Sequence, residues 1–325
     1  MTNLMKLSIV VPIFNEELIV AEFYKRLDDL AIMLNQKFNI KENEVEIIWV
    51  NDGSTDSSFS LLKEKCSLKT NYVLVNLSRN YGHQYAITAG LENSAGQFVV
   101  VIDGDLQDPP EFIVDLYSKI NEGYDVVYAV RKSRRGEGFF KKKTASLFYK
   151  LLSRIVSINI PVNVGDYRII SRRVLENFLT MNEMHRYVRG MISWIGFKSI
   201  GILYDRDSRY AGETKYSLRK MMHFALDGIT SFSSAPLKIS LYLGCLVATS
   251  GFVYACYIVF IHFFTDKTIL GWSSLIIVVL ILGGTQLLTI GLIGEYIGRI
   301  YEQVKHRPLY IVDEIYGKNQ EADSE

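Results

Sequence analysis

The sequence predicts an α/β protein, a mostly parallel sheet with flanking helices, that ends in two membrane-spanning helices. Three observations predict it. Short runs of branched apolar residues alternate with stretches of helical spacing up to Val130. Polar clusters rich in carboxylates and amides follow the first four runs, and two long C-terminal stretches carry no Asp, Glu, Lys or Arg. Alternation of strand-like and helix-like segments is the pattern of a sheet covered on both faces, and long uncharged runs are the pattern of a bilayer span.

The strand-like runs are Leu7 to Ile13, Val45 to Val50, Tyr72 to Leu77, Phe98 to Ile102 and Asp125 to Val130. The clearest helix covers Glu16 to Asn35, with Leu18, Ala21, Leu27, Leu30, Ala31 and Leu34 spaced toward one side. In such sheets the ligand crevice lies outside the carboxyl ends of the strands. The polar insertions fall there: Pro12 to Glu17, Asn51 to Asp56, Ser78 to Gly82 and Asp103 to Asp108. Each has an ordinary reading as turn or cap chemistry, Ser54 or Asp56 for instance capping a helix. A purely structural solution, however, does not require a carboxylate or amide at the same end of all four strands.

Residues 98–110 carry the sharpest chemical signal. An apolar strand ends abruptly in Asp103-Gly104-Asp105-Leu106-Gln107-Asp108 and is closed by Pro109-Pro110, a pair suited to opening a helix. Acids placed beside apolar residues need a cation or hydrogen-bond donors to offset burial. Two readings stand: a divalent metal holding a diphosphate, or solvated acids that cap the next helix. The five histidines share no ligand spacing and the three cysteines are scattered, so a hard, oxygen-bound cation is the metal this composition favours over zinc or a disulfide framework.

Between Arg131 and Arg154 nine basic residues face one acid, Glu137, interleaved with Phe139, Phe140, Leu147, Phe148, Leu151 and Leu152. This segment, 131–154, reads as a basic amphipathic helix on a membrane surface, or else as a solvated charged face. A nucleic-acid patch is disfavoured beside two membrane spans. Residues 217–232 read as a second amphipathic helix. Before it, Arg209 to Tyr216 presents Arg209 and Lys215 at a helix start, where backbone amides favour phosphate. The alternative is a basic loop with lipid-facing cations.

The uncharged stretches run from Ile239 to Phe264 and from Ser273 to Ile293. Basic residues precede the first (Arg219, Lys220, Lys238) and follow the second (Arg299, Lys305, Arg307), while the link carries only Lys267, so both termini are expected in the cytoplasm. Leu7 to Phe14 is too short and too quickly interrupted for a cleavable signal peptide. Gly283-Gly284 and the series Gly291, Gly294, Gly298 would let helices approach closely in a homo-oligomer. The acidic tail after Gly317 reads as disordered.

With these motifs in hand the chain resembles a family 2 glycosyltransferase of GT-A fold, specifically a membrane-anchored polyprenyl-phosphate glycosyltransferase related to dolichyl-phosphate mannose synthase. The carrying segments are Val11-Pro12-Ile13-Phe14-Asn15-Glu16, Asn51-Asp52-Gly53-Ser54, Ser78-Arg79-Asn80-Tyr81-Gly82, Asp103 to Pro110, Gly165-Asp166-Tyr167-Arg168, Arg209 to Tyr216 and Gly294-Glu295-Tyr296-Ile297-Gly298-Arg299. They are most similar to the bacterial branch that glucosylates undecaprenyl phosphate for O-antigen modification. Glycine at position 104 departs from the alanine often found between the two acids, and the Gln-x-x-Arg-Trp signature of processive synthases is absent, which implies transfer of a single sugar.

The resemblance implies the following organisation and roles. Residues 1–208 form a cytosolic GT-A domain, 209–235 a phosphate loop and interface helix, 239–264 and 273–297 two spans of the inner membrane, and 298–325 a cytosolic tail. Pro12, Phe14, Glu16, Asp52 and Asp103 line the nucleotide sugar. Asp105 and Gln107 hold Mg²⁺ or Mn²⁺ against the diphosphate. Asp166 is the catalytic aspartate, and Arg131, Arg209 and Lys215 handle phosphate. The implied reaction is inverting transfer from UDP-glucose to a polyprenyl phosphate. GDP-mannose, UDP-aminoarabinose and UDP-N-acetylhexosamine are alternative donors, since sugar choice rests on a few pocket contacts. A non-catalytic scaffold or lipid-sugar translocation subunit is the competing class.

Overall fold

The computed structural model describes residues 5–132, 164–206, 235–264 and 271–317. They fall into two compact units, one of residues 5–132, 164–206 and 308–317, the other of residues 235–264 and 271–307. The first unit is built on one sheet. Strands β1 (Leu7–Ile13), β2 (Val45–Asn51), β3 (Tyr72–Leu77), β4 (Phe98–Val101), β5 (Val126–Arg131), β6 (Val164–Ser171), β7 (Ser199–Tyr204) and β8 (Val312–Tyr316) lie in the order β7-β5-β6-β4-β1-β2-β3-β8. Pairings within β4-β1-β2-β3 are parallel, as is β5 with β7, whereas β6 runs antiparallel to both β4 and β5, and β8 antiparallel to β3.

The central strands are covered on both faces, which is why β1 and β2 are buried at every position. Helices α1 (Glu17–Phe38), α2 (Ser58–Leu68), α3 (His83–Glu92), α4 (Ile113–Ile120), α5 (Arg172–Leu179) and α6 (Val188–Ile195) belong to this unit. Helix α1 buries Ile19, Val20, Phe23, Leu27, Leu30 and Leu34. The side anticipated from sequence is thus rotated at its start: Leu18 and Ala21 are exposed, and Ile19, Val20 and Phe23 take their place against the sheet. Phe23 meets Trp49 of β2 edge to face at 5.4 Å. A buried carboxylate at the opposite strand ends is hydrogen-bonded: Glu46 Oε2 accepts from Ser8 Oγ (2.7 Å) and from the Ala95 amide (2.9 Å).

Helix α3 is set close to the sheet by Gly90. A Cβ there would overlap the Val10 side chain and come within 3.1 Å of Val50, so only glycine lets the helix lie this near β1 and β2. Its first residue, His83, thereby stands at the carboxyl ends of the strands. The order β3-β2-β1-β4 reverses direction between β1 and β4, the place where open α/β sheets take ligands.

In the second unit, α7 (Ala235–Phe264) and α8 (Trp272–Val304) form a helical pair. Judged on the described residues, no helix is long and apolar enough to cross a membrane, so the expected two spans are not carried by the structure itself. A Cβ at Gly283, Gly284, Gly291, Gly294 or Gly298 would meet open space, so these glycines do not seat one helix on the other. Residues beyond α8 return to the first unit: Val312–Tyr316 form β8, and the stretch read as a tail supplies the sheet's edge. The basic segment from residue 133 onward, Arg209, Lys215, the stretch 217–232 and the acidic residues after Gly317 lie outside the described residues.

Candidate active site

The loops that leave β1, β2, β3 and β4 are laced together. Asn15 adopts φ 53°, and its amide donates to Ser54 Oγ (3.0 Å) while its Oδ1 accepts from the Thr55 amide (2.8 Å). The Glu16 amide donates to Ser58 Oγ (2.9 Å) and the Glu17 amide to Asp56 Oδ2 (3.2 Å). Pro12 is buried in β1 in register with Val50, and Phe14 just beyond it is 36% exposed.

Asp52 is 3% exposed and accepts from the amides of Tyr81 (2.7 Å) and Gly82 (3.0 Å). Burial pushes its carboxyl up, and the two amides pull in the other direction without cancelling that rise. Expected along the nucleotide sugar, Asp52 is also a clamp on the loop between β3 and α3. Gly53 makes the clamp feasible: at φ +65° it carries the turn, and a Cβ would overlap the backbone of Arg79 and Asn80.

After β4 the chain alternates. Residues 103, 105 and 107 are half-buried while 104, 106 and 108 are buried, and Leu106 takes φ 54° with its side chain in the core. The Gln107 amide donates to Asp105 Oδ1 (3.1 Å), and Arg206 Nη2 lies 3.7 Å from Asp105 Oδ2. Beneath the loop, Asp108 accepts from the Tyr204 hydroxyl and from Arg206 Nε (3.1 Å), and Arg131 Nη2 stands 3.9 Å from its Oδ2. Burial, with the charge of Asp103, raises the Asp108 carboxyl to about 6 against the pull of those arginines and the tyrosine. Arg131, expected on phosphate, thus leans inward on Asp108 and donates from Nε to Tyr204 (3.3 Å).

Asp166, on β6, is 2% exposed and is the most heavily engaged carboxylate of the site. Arg189, the second residue of α6, grips it bidentately, Nε to Oδ1 at 2.9 Å and Nη2 to Oδ2 at 3.2 Å, and also donates to the Val164 carbonyl (2.9 Å). Gln84 Nε2 approaches Oδ2 at 3.4 Å, while Gln84 Oε1 accepts from the Val188 amide (2.9 Å). His83 Nε2 stands 3.2 Å from Asp166 Oδ2 and 3.3 Å from Asp103 Oδ1. Burial works to raise the Asp166 pKa, but the Arg189 charge and His83 outweigh it and hold the carboxyl well below the usual carboxylate range. Partial burial works against the His83 charge in turn, yet Asp103 and Asp166 outweigh it and hold its pKa well above the ordinary value, which favours the imidazolium.

Arg168, two residues further along β6, makes only a long ion pair with Asp166. Arg168 donates to the carbonyls of Gly165 (2.8 Å) and Asp166 (3.2 Å) and approaches the carboxylate only to 3.7 Å. Arg189 and His83 were not anticipated. The signal for His83 is its place directly after Ser78 to Gly82. Arg189 lies in Arg186-Tyr187-Val188-Arg189-Gly190, two cations beside an aromatic with nothing local to mark them.

A crevice at the carboxyl ends of parallel strands, with acids from the loop after β4 and from β6 facing each other across a histidine, is the ligand-binding end of an open α/β sheet. The glycosyl transferase family 2 model matches residues 8–179, more than half of the chain, and a GtrB C-terminal hairpin model matches residues 235–300. The chain belongs to glycosyl transferase family 2. It is 48% identical over 317 residues to an uncharacterized glycosyltransferase, YkcC, of Bacillus subtilis, covering 98% of this chain and 96% of that one. It is 41% identical to the bactoprenol glucosyl transferase of Shigella phage SfV, covering 95% of this chain and 98% of that one. It is also 40% identical to a prophage bactoprenol glucosyl transferase homolog of Escherichia coli, covering 96% and 99%.

Proposed function

We propose that this protein transfers one glucosyl unit from UDP-glucose to a polyprenyl phosphate at the inner face of a membrane, with inversion. The observation that carries the reading is the Asp103–His83–Asp166–Arg189 constellation at the mouth of the β1/β4 crevice, in a chain that aligns end to end with relatives named bactoprenol glucosyl transferases.

The acceptor's phosphate is its own nucleophile, being largely ionised near neutral pH with a second pKa of about 6. It needs little general-base help. An Asp166 held ionised serves better to orient the acceptor and to steady positive charge developing on the sugar ring. Pro12, Phe14, Glu16 and Asp103 line the donor side, Asp52 shapes it by clamping the loop before α3, and Arg209 and Lys215 are assigned to phosphate, with Arg131 held against Asp108.

The loop after β4 suits a hard cation. Asp105 and Gln107 offer oxygen donors from half-buried positions, and the buried Asp108 Oδ2 beneath them makes no hydrogen bond. Asp105 and Gln107 would hold Mg²⁺ or Mn²⁺, which supplies charge neutralisation for a departing nucleoside diphosphate.

The membrane assignment rests on sequence and exposure together. Residues 239–264 of α7 and 273–293 of α8 carry no Asp, Glu, Lys or Arg in the sequence. Phe252, Phe264 and Leu287 are each more than 70% exposed, a cost that lipid contact removes.

The test offers the purified full chain a panel of nucleotide sugars with undecaprenyl phosphate and Mn²⁺, and weighs the lipid product. A single hexose added from UDP-glucose is expected. Products carrying another sugar would reassign the donor, and the absence of any lipid product would refute the reading.

A further inference from the structure

We infer that His83 is a positioning residue of the transfer centre, a cationic bridge that keeps Asp103 on the donor side and Asp166 on the acceptor side in fixed relation. The inference deepens the function proposed above and rests on it. Among the described residues, the ligand atoms of His83, Asp103 and Asp166 lie within 4.8 Å of one another, and His83 Nε2 reaches both carboxylates. Two ionised carboxylates this close repel, and the like charge disfavours ionisation of each unless a cation sits between them. Arg189 pairs directly with Asp166 and acts on Asp103 only as a more distant charge, so the direct bridge to Asp103 falls to the imidazole.

The backbone around His83 gives the ring a firm base. It opens α3 directly after Gly82, which takes φ +108° and whose amide is held by Asp52, and Gly90 seats the same helix against β1. A continuous set of contacts therefore runs from Asp52 through His83 to Asp166 and Arg189. Gln84, the next residue, adds a tie to the start of α6 through the Val188 amide. A cation at the same trio would compete with the Arg189 guanidinium, which already donates to both Asp166 oxygens.

The experiment compares wild type with His83→Ala, His83→Gln and His83→Lys, using the full chain, UDP-glucose, undecaprenyl phosphate and Mn²⁺. For His83→Ala, kcat is expected to fall about 100-fold, the scale of a small misplacement at a reacting centre. Its donor KM and its calorimetric affinity for UDP with Mn²⁺ should stay within about threefold of wild type. His83→Lys, which restores a cation, should recover more of kcat than His83→Gln, which restores only a hydrogen bond. Added imidazole should partly rescue His83→Ala. An unchanged kcat in His83→Ala overturns the inference, as does a matching loss of UDP affinity, or a fall in affinity for Mn²⁺ alone that would make the ring a ligand. Independently of turnover, a structure of His83→Ala should show Asp166 turned away from its position beside Asp103, and an unmoved pair would also overturn it. A wild type that makes no lipid-linked sugar would instead refute the proposed function, leaving the structural arm to decide the role of His83.

Discussion

Replacing Arg189 by Ala removes the group that holds Asp166. The guanidinium makes two hydrogen bonds to a carboxylate that is 2% exposed and a third to the Val164 carbonyl. Removing one partner of a buried ion pair costs about 3–5 kcal/mol, and the nearby His83 and Arg168 place this site at the lower end, about 3 kcal/mol. For a domain of this size that is a fall in thermal midpoint of roughly 6–12 °C. The pH dependence has a definite sign. With its native pKa depressed, Asp166 stabilises the fold above the ordinary carboxylate pKa, and that contribution is lost as pH falls through the depressed value. The Arg189→Ala protein lacks it, so the two midpoints should differ most at neutral pH and converge in acid. Thermal unfolding of the purified full chain at pH 7.5 and at successive steps down to pH 2 reads both effects. Equal midpoints at pH 7.5, or a gap that widens in acid, would refute the reasoning.

Other expectations follow from the same geometry. Gly90→Val places a side chain into Val10 and Val50, an overpacking of about 1–3 kcal/mol, and should lower the thermal midpoint and kcat together because α3 carries His83. Asp105→Asn should abolish the gain in UDP affinity that Mn²⁺ gives in calorimetry while leaving metal-free binding unchanged. Burial pushes the Cys66 thiol up to about 12, so iodoacetamide at pH 8 should leave it unmodified in the folded protein and label it after denaturation, as read by mass spectrometry.

The central strands were legible because each is a buried apolar run closed by turn chemistry. β1 and β3 have the bounds their residues suggest, and β2 and β4 differ by one residue at an end. The strands that escaped have physical reasons. β6 carries Asp166 and Arg168, charges whose compensation comes from α6 and α3 and cannot be seen locally. β7 is an edge strand with alternating exposure, and Leu203 is 59% exposed. β8 is acidic, and it is ordered through distant partners: Asn76 donates to Asp313 (3.1 Å), and Lys63 donates to the Tyr316 hydroxyl (2.9 Å).

The site divides along the same line. Asp103 and Asp105 stand out as acids closing an apolar strand, whereas Asp166 is reached only through the family resemblance. Their partners do not stand out, because His83 lies 83 residues from Asp166 in sequence and Arg189 lies 23 residues away on another element. A lone histidine or arginine acquires meaning only once the sheet brings it to a carboxylate. Asp52 shows the converse: a conspicuous acid whose oxygens are committed to holding a loop.

Turnover of Asp166→Asn tests the central claim most directly, measured with UDP-glucose and undecaprenyl phosphate beside calorimetry of UDP with Mn²⁺. An amide keeps the shape but loses the charge that Arg189 and His83 surround. The account predicts a kcat lowered by at least about 100-fold with donor affinity retained. Turnover at the wild-type rate would contradict it.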